Sequence, residues 1–116
     1  MSRRLTVKHA VVGEAINVYG DPDQHSPLVV APTELPPCDI LELDCEGAET
    51  VILRNITIRP RVIVVETHGL YGAPTWMVKE LLEELGYAVE ELGIAEPRLS
   101  EVCETNDIRV LLGKRN

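Results

Sequence analysis

The stretch Cys38-Asp39-Ile40-Leu41-Glu42-Leu43-Asp44-Cys45-Glu46-Gly47-Ala48-Glu49 constrains the fold more than any other part of the chain. Ile40 to Leu43 reads as a short buried strand that ends in acids and turns at once into a helix over Gly47 to Leu53, with Ala48, Val51 and Ile52 at helical spacing toward the sheet. In an open α/β sheet, ligands bind in the crevice outside the carboxyl ends of the strands. Asp44, Glu46 and Glu49 are therefore the first candidates for a site.

A second strand follows. Arg59-Pro60 stops the connection, because proline and the restricted residue before it both oppose helix. Val62 to Val65 is a continuous β-branched run, expected as a central strand buried on both faces, and it ends in Glu66-Thr67-His68-Gly69. Glu66 and His68, two residues apart, project to one side if the backbone stays extended.

The remaining segments fill in an α/β order. Leu5 to Val12 and Ala15 to Tyr19 read as a hairpin. Gly20 to Pro37 is too rich in Gly and Pro for long regular structure, leaving Leu28 to Val30 as a short extended piece. A helix starting near Pro74 or Thr75 carries Trp76, Val78, Leu81, Leu82 and Leu85 as its apolar stripe and stops at Gly86. Tyr87 to Leu92 is an edge-type strand, Ile94 to Asp107 a polar loop, and Ile108 to Leu112 the last strand. With 116 residues the chain makes a single domain, a hairpin and loop over 1–37 followed by strand-helix-strand-helix-strand-strand over 38–116. Its core must be aliphatic, since there is no Phe and the aromatic fraction is 3%.

A net charge of −8 argues against nucleic acid or an anionic membrane as partner, because phosphate attracts basic surfaces. No apolar run approaches the roughly 20 residues that span a bilayer, and no signal-type segment follows Met1, so the cytoplasm is the expected location. Three Cys without a close pair suggest neither a disulfide framework nor a zinc knuckle; Cys38, Cys45 and Cys103 are expected to be small, buried or semi-buried residues. Cys45, between two acids, is a poor nucleophile.

The paired segments Asp39 to Glu49 and Arg59 to His68 resemble the second half of FkbM-type methyltransferases. The helix ending Leu81-Leu82-Glu83-Glu84-Leu85-Gly86-Tyr87 and the final strand pair are similar to that fold as well, and Leu5 to Tyr19 looks like the family's third strand and the hairpin after it. The resemblance implies a Rossmann-like, mostly parallel sheet with an antiparallel C-terminal strand pair. It also implies S-adenosylmethionine (SAM) as cofactor and methyl transfer to a hydroxyl of a small molecule or sugar. On that reading Asp44, Glu66 and His68 are the catalytic candidates, with Glu46 and Glu49 binding the acceptor. Two departures stand out. No glycine-rich turn or strand-end acid for the cofactor is found, so the sequence looks like a C-terminal portion of such an enzyme, truncated and inactive alone. Glu42 stands where the family usually has a lysine.

Three alternatives follow from the residues themselves. Glu46 merely favours the N-terminus of the following helix, where the backbone amides carry partial positive charge. The strand at Ile40 to Leu43 forms an open sheet edge that pairs with a second copy or a completing polypeptide, making this a non-catalytic association domain. Asp44, Glu66 and His68 hold a metal for hydrolysis, the least favoured of the three, so that no metal is expected.

Overall fold

The computed structural model describes residues 10–12 and 28–116. Two short strands, β1 (Ala10–Val12) and β2 (Leu28–Val30), pair in parallel with Val11 opposite Val29. The expected second hairpin arm, residues 15–19, lies outside the described residues. Leu28 to Val30 is thus a paired strand, and a single 3-10 turn at Pro32–Glu34 follows it.

The rest is an α/β unit built on an open, mixed four-stranded sheet. Its elements are β3 (Ile40–Leu43), α1 (Glu49–Asn55), β4 (Val62–Glu66), α2 (Thr75–Glu84), β5 (Ala88–Ile94), α3 (Ser100–Asn106) and β6 (Arg109–Lys114). The order across the sheet is β3-β4-β6-β5. β3 and β4 are parallel, while β6 lies between β4 and β5 and runs antiparallel to both. Hence β3, β4 and β5 share one direction and β6 opposes them.

Register decides which residues face the core. Leu43 sits opposite Val65, and Val65 opposite Leu111. Ile63 and Val65 lie on this same face, and all four pack with Ile52 and Leu53 of α1 and Val78 and Leu82 of α2 in one aliphatic cluster. Fully burying each such side chain contributes about 1.5–3 kcal/mol. Tyr87 closes one end of this cluster, its hydroxyl donating to the Pro60 carbonyl.

The other face is more open. Val62, Val64, Val110 and Leu112 are only half-buried there, so β4 alternates and is not buried on both faces as its β-branched run suggests. The reason is that α1 and α2 both cover the face of Ile63 and Val65. β3 is an edge strand among the described residues, with Ile40 at 62% exposure.

Three further expectations are corrected. Trp76 is exposed, not core. At 3.6 residues per turn it lies about 160° around the helix from Val78, on the side away from the sheet. The Ile94 to Asp107 segment is not a plain polar loop: it holds a 3-10 turn at Pro97–Leu99 and the helix α3, which buries only Cys103. Cys38 is exposed, not buried or semi-buried, whereas Cys45 is half-buried and Cys103 buried, as expected. Among the described residues, no helix is long and apolar enough to cross a membrane.

Candidate functional site

The parallel register of β3 and β4 brings the ends of the two strands side by side. Asp44 leaves the end of β3, and Glu66 and His68 lie at and just past the end of β4. Three side chains from two distant segments therefore converge. His68 Nε2 stands 3.3 Å from Asp44 Oδ1 and 3.8 Å from Glu66 Oε2.

Glu49 completes the group from behind. It sits in the first turn of α1 and is fully buried, a position that costs a carboxylate its hydration and requires compensating hydrogen bonds. It has two. The Gly47 backbone N–H donates to Glu49 Oε2 at 2.7 Å, and His68 Nδ1 contacts Glu49 Oε1 in a short hydrogen bond. Glu49 thus does not line the open side of the cluster. It is a positioning residue that fixes the His68 ring and commits its Nδ1 proton.

The turn between β3 and α1 makes this possible. Glu46 has φ 48° and Gly47 φ 108°, so the chain reverses through the left-handed region and points the Gly47 amide at Glu49. Glu46 itself is exposed, and its side chain makes no hydrogen bond among the described residues; the residue at the helix N-cap is Ala48.

A second network holds the His68 loop. Thr67 is fully buried; its hydroxyl accepts from the Arg109 amide at 3.0 Å and bonds the Thr75 hydroxyl at 2.8 Å. Asp107, at the end of α3, accepts from the Thr75 backbone amide and hydroxyl, both at 2.7 Å, and so caps α2 from 32 residues away. No local spacing signals that Asp107 belongs beside Thr75. Its neighbour Gly69 packs so closely that a Cβ there would lie 2.6 Å from the Asp107 Cβ.

In front of the acids is an open depression of about 240 Å³, lined by Glu42, Leu43, Asp44, Val64, Glu66 and Val110. Its wall carries three carboxyl groups. A hydrogen bond that its protonated form gives to Asp44, then burial and the Asp44 charge, push the Glu66 carboxyl up from 4.5 to about 7, against the opposing pull of His68. Burial and the Glu49 charge also push the Cys45 thiol upward, so it stays protonated and is neither nucleophile nor ready ligand.

The Glu66 shift has a sign. A native carboxyl that takes its proton at a higher pH than the unfolded one makes the native state the better proton binder between about pH 4.5 and 7. The contribution to stability is therefore largest below that window and is lost as the pH rises through it. In thermal unfolding with EDTA present, Glu66→Gln is expected to gain stability on wild type above pH 7 and to lose that advantage near pH 4.5. A constant difference between the two proteins across the window would show that Glu66 is not the titrating group.

Comparison with known proteins gives no match: no family model, no curated protein and no solved structure matches this chain.

Proposed function

We propose that this chain forms the acceptor-side wall of an FkbM-like, SAM-dependent O-methyl-transfer fold. The acceptor is a hydroxyl of a small molecule or sugar. The observation that carries this reading is the convergence of Asp44, Glu66 and His68 at the carboxyl ends of two parallel strands, backed by a buried Glu49. The strand directions support it too, since three strands run one way and the last is reversed beside the third, as expected of a Rossmann-like sheet with an antiparallel C-terminal pair.

The residues have definite parts in such a site. An acceptor hydroxyl in the depression donates its hydrogen bond to Asp44 or to ionised Glu66, and that carboxylate takes the proton as the oxygen becomes a nucleophile. A carboxyl held near 7 is well matched to this task at neutral pH. His68, locked by Glu49, sets its Nε2 beside both acids.

Gly47, the glycine at the turn between β3 and α1, is packed against Tyr71, where a Cβ would lie 2.7 Å from both the Cβ and the carbonyl oxygen of that residue, so this turn offers no open backbone approach. On this reading the cofactor cradle is formed by other residues.

A second reading is favoured by one observation, the position of β3 at the sheet edge with Ile40 exposed. An unpaired edge is a template for another strand, and a two-fold pair of chains satisfies it. Calorimetry and light scattering on the full chain test both readings. The first expects no heat with SAM, together with amide shifts around Asp44, Glu66 and His68 on adding simple sugars or polyols. Tight stoichiometric SAM binding, or sugars that leave those amides unmoved, would sink it. The second expects a dimer, and a monomer at all concentrations removes it.

A further inference from the structure

We propose that Asp44, Glu66 and His68 bind one first-row divalent cation, with Glu49 as the outer carboxylate that aims His68 at it. The inference stands whether or not the acceptor reading holds.

The geometry rests on His68 as much as on the acids. His68 is only 7% exposed, and its Nδ1 is taken by Glu49. In its neutral form the ring therefore presents Nε2 as a lone pair. That nitrogen lies 3.3 and 3.8 Å from two carboxylate oxygens and makes no hydrogen bond among the described residues. Two carboxyl groups and an imidazole nitrogen this close need a shared positive partner, either the proton that Glu66 gives to Asp44 or a cation in its place.

A metal ion meets this need with distances close to those observed. One atom each from Asp44, Glu66 and His68 all lie within 4.8 Å of one another. Bonds of about 2.0–2.2 Å set at ordinary coordination angles need ligand atoms roughly 3–3.6 Å apart. The Asp44 side chain is exposed, at 58%, and that of Glu66 half-buried, at 29%, so small rotations of both close that difference, whereas His68 is fixed.

Behind the ligands stands the arrangement that histidine ligands require. A metal-bound imidazole almost always donates its other N–H to a carboxylate or carbonyl, which sets the tautomer and raises the basicity of the ligating nitrogen. Glu49 is the accepting carboxylate here, from a fully buried position, and the Gly47 amide donates to Glu49 in turn. A solvated pair of surface acids would not need a buried carboxylate spent on orienting a neighbouring ring.

The donor set indicates the ion. Imidazole suits Zn²⁺, Fe²⁺ and Ni²⁺, carboxylates suit Mn²⁺ and Mg²⁺, and one nitrogen with two carboxylate oxygens falls between these groups. Three protein ligands leave coordination positions open toward the depression lined by Glu42 and Val64. A hydroxyl or water oxygen entering there would be polarised by the cation.

The test uses the full chain, stripped with EDTA and dialysed, with Mn²⁺ added and the free-ion paramagnetic resonance signal followed. Uptake of one Mn²⁺ per chain is expected, displaced by Zn²⁺, with selective broadening of the His68 ring signals. Asp44→Asn and Glu66→Gln alter partly exposed side chains and keep the fold by circular dichroism. Each is expected to weaken binding by at least about tenfold, equivalent to about 1.4 kcal/mol. Glu49→Gln, which touches no ion, is expected to weaken it by about 10–100-fold. A folded chain that takes up no Mn²⁺ or Zn²⁺ overturns the proposal, and so does uptake that Asp44→Asn and Glu66→Gln leave unchanged. Neither result involves SAM or a sugar, so failure here is distinct from failure of the acceptor reading.

Discussion

Replacing Glu49 by leucine is expected to destabilise the chain by about 3 kcal/mol and to release His68 from its fixed orientation. The size follows from what is left behind. Leucine nearly fills the same volume, so no large cavity opens, but the Gly47 amide and the His68 Nδ1 proton both lose their acceptor. Each buried donor left unsatisfied costs about 1–3 kcal/mol, offset in part because the buried carboxylate's own lost hydration is no longer incurred. Glu49→Gln separates shape from charge. Its amide offers one oxygen and one NH₂ where the carboxylate offers two acceptors, so it satisfies Gly47 or the original His68 tautomer, not both. With the oxygen on Gly47, the NH₂ faces Nδ1, and the ring proton moves to Nε2. Nitrogen-15 shifts of the His68 ring report this directly, and denaturant unfolding should place Glu49→Gln between wild type and Glu49→Leu. A Glu49→Leu protein as stable as wild type, with an unchanged ring tautomer, would show that the Glu49–His68 contact is incidental.

That contact is not legible in the sequence, although both residues stand out there as polar groups beside strand ends. Asp44, Glu66 and His68 are visible because each follows an apolar run at a strand end, and strand ends are where the chain's polar groups must leave the sheet. Glu49 and His68 are 19 residues apart, and only the pairing of Leu43 with Val65 sets the two ends side by side. The sequence pattern therefore points Glu49 at a ligand, whereas its partner is a ring nitrogen of the protein. The Thr75–Asp107 cap is hidden for the same reason, at a separation of 32 residues. α3 is hidden for a different reason. With Cys103 as its one buried side chain, Ser100–Asn106 has no apolar stripe for periodicity to detect. Hydrophobicity alone puts Trp76 in the core, against its angle on the helix. Val78 and Leu82, with the flanking Leu81 and Leu85, share the helical period that faces the sheet, and Trp76 does not.

Gly47→Ala should be the most damaging single-methyl change in the site, at on the order of 3 kcal/mol, and Gly72→Ala provides its control. Both glycines have positive φ, 108° and 82°, which a side chain adopts only with strain of about 1–3 kcal/mol. They differ in what surrounds them. A Cβ at Gly72 meets nothing within 4 Å, whereas at Gly47 it meets the Cβ and carbonyl oxygen of Tyr71 at 2.7 Å. The contact is with backbone and Cβ, so Tyr71→Ala should not rescue Gly47→Ala, because the clashing atoms remain. The consequence reaches the site along a short path. Shifting residue 47 withdraws its amide from Glu49, and Glu49 is what holds His68 against Asp44 and Glu66. Gly47→Ala is therefore expected to lower the unfolding midpoint more than Gly72→Ala and to shift the His68 ring resonances, which Gly72→Ala should leave in place. Equal losses of stability in the two variants, with His68 undisturbed in both, would mean that the turn yields at Tyr71 and does not govern the geometry of the acids.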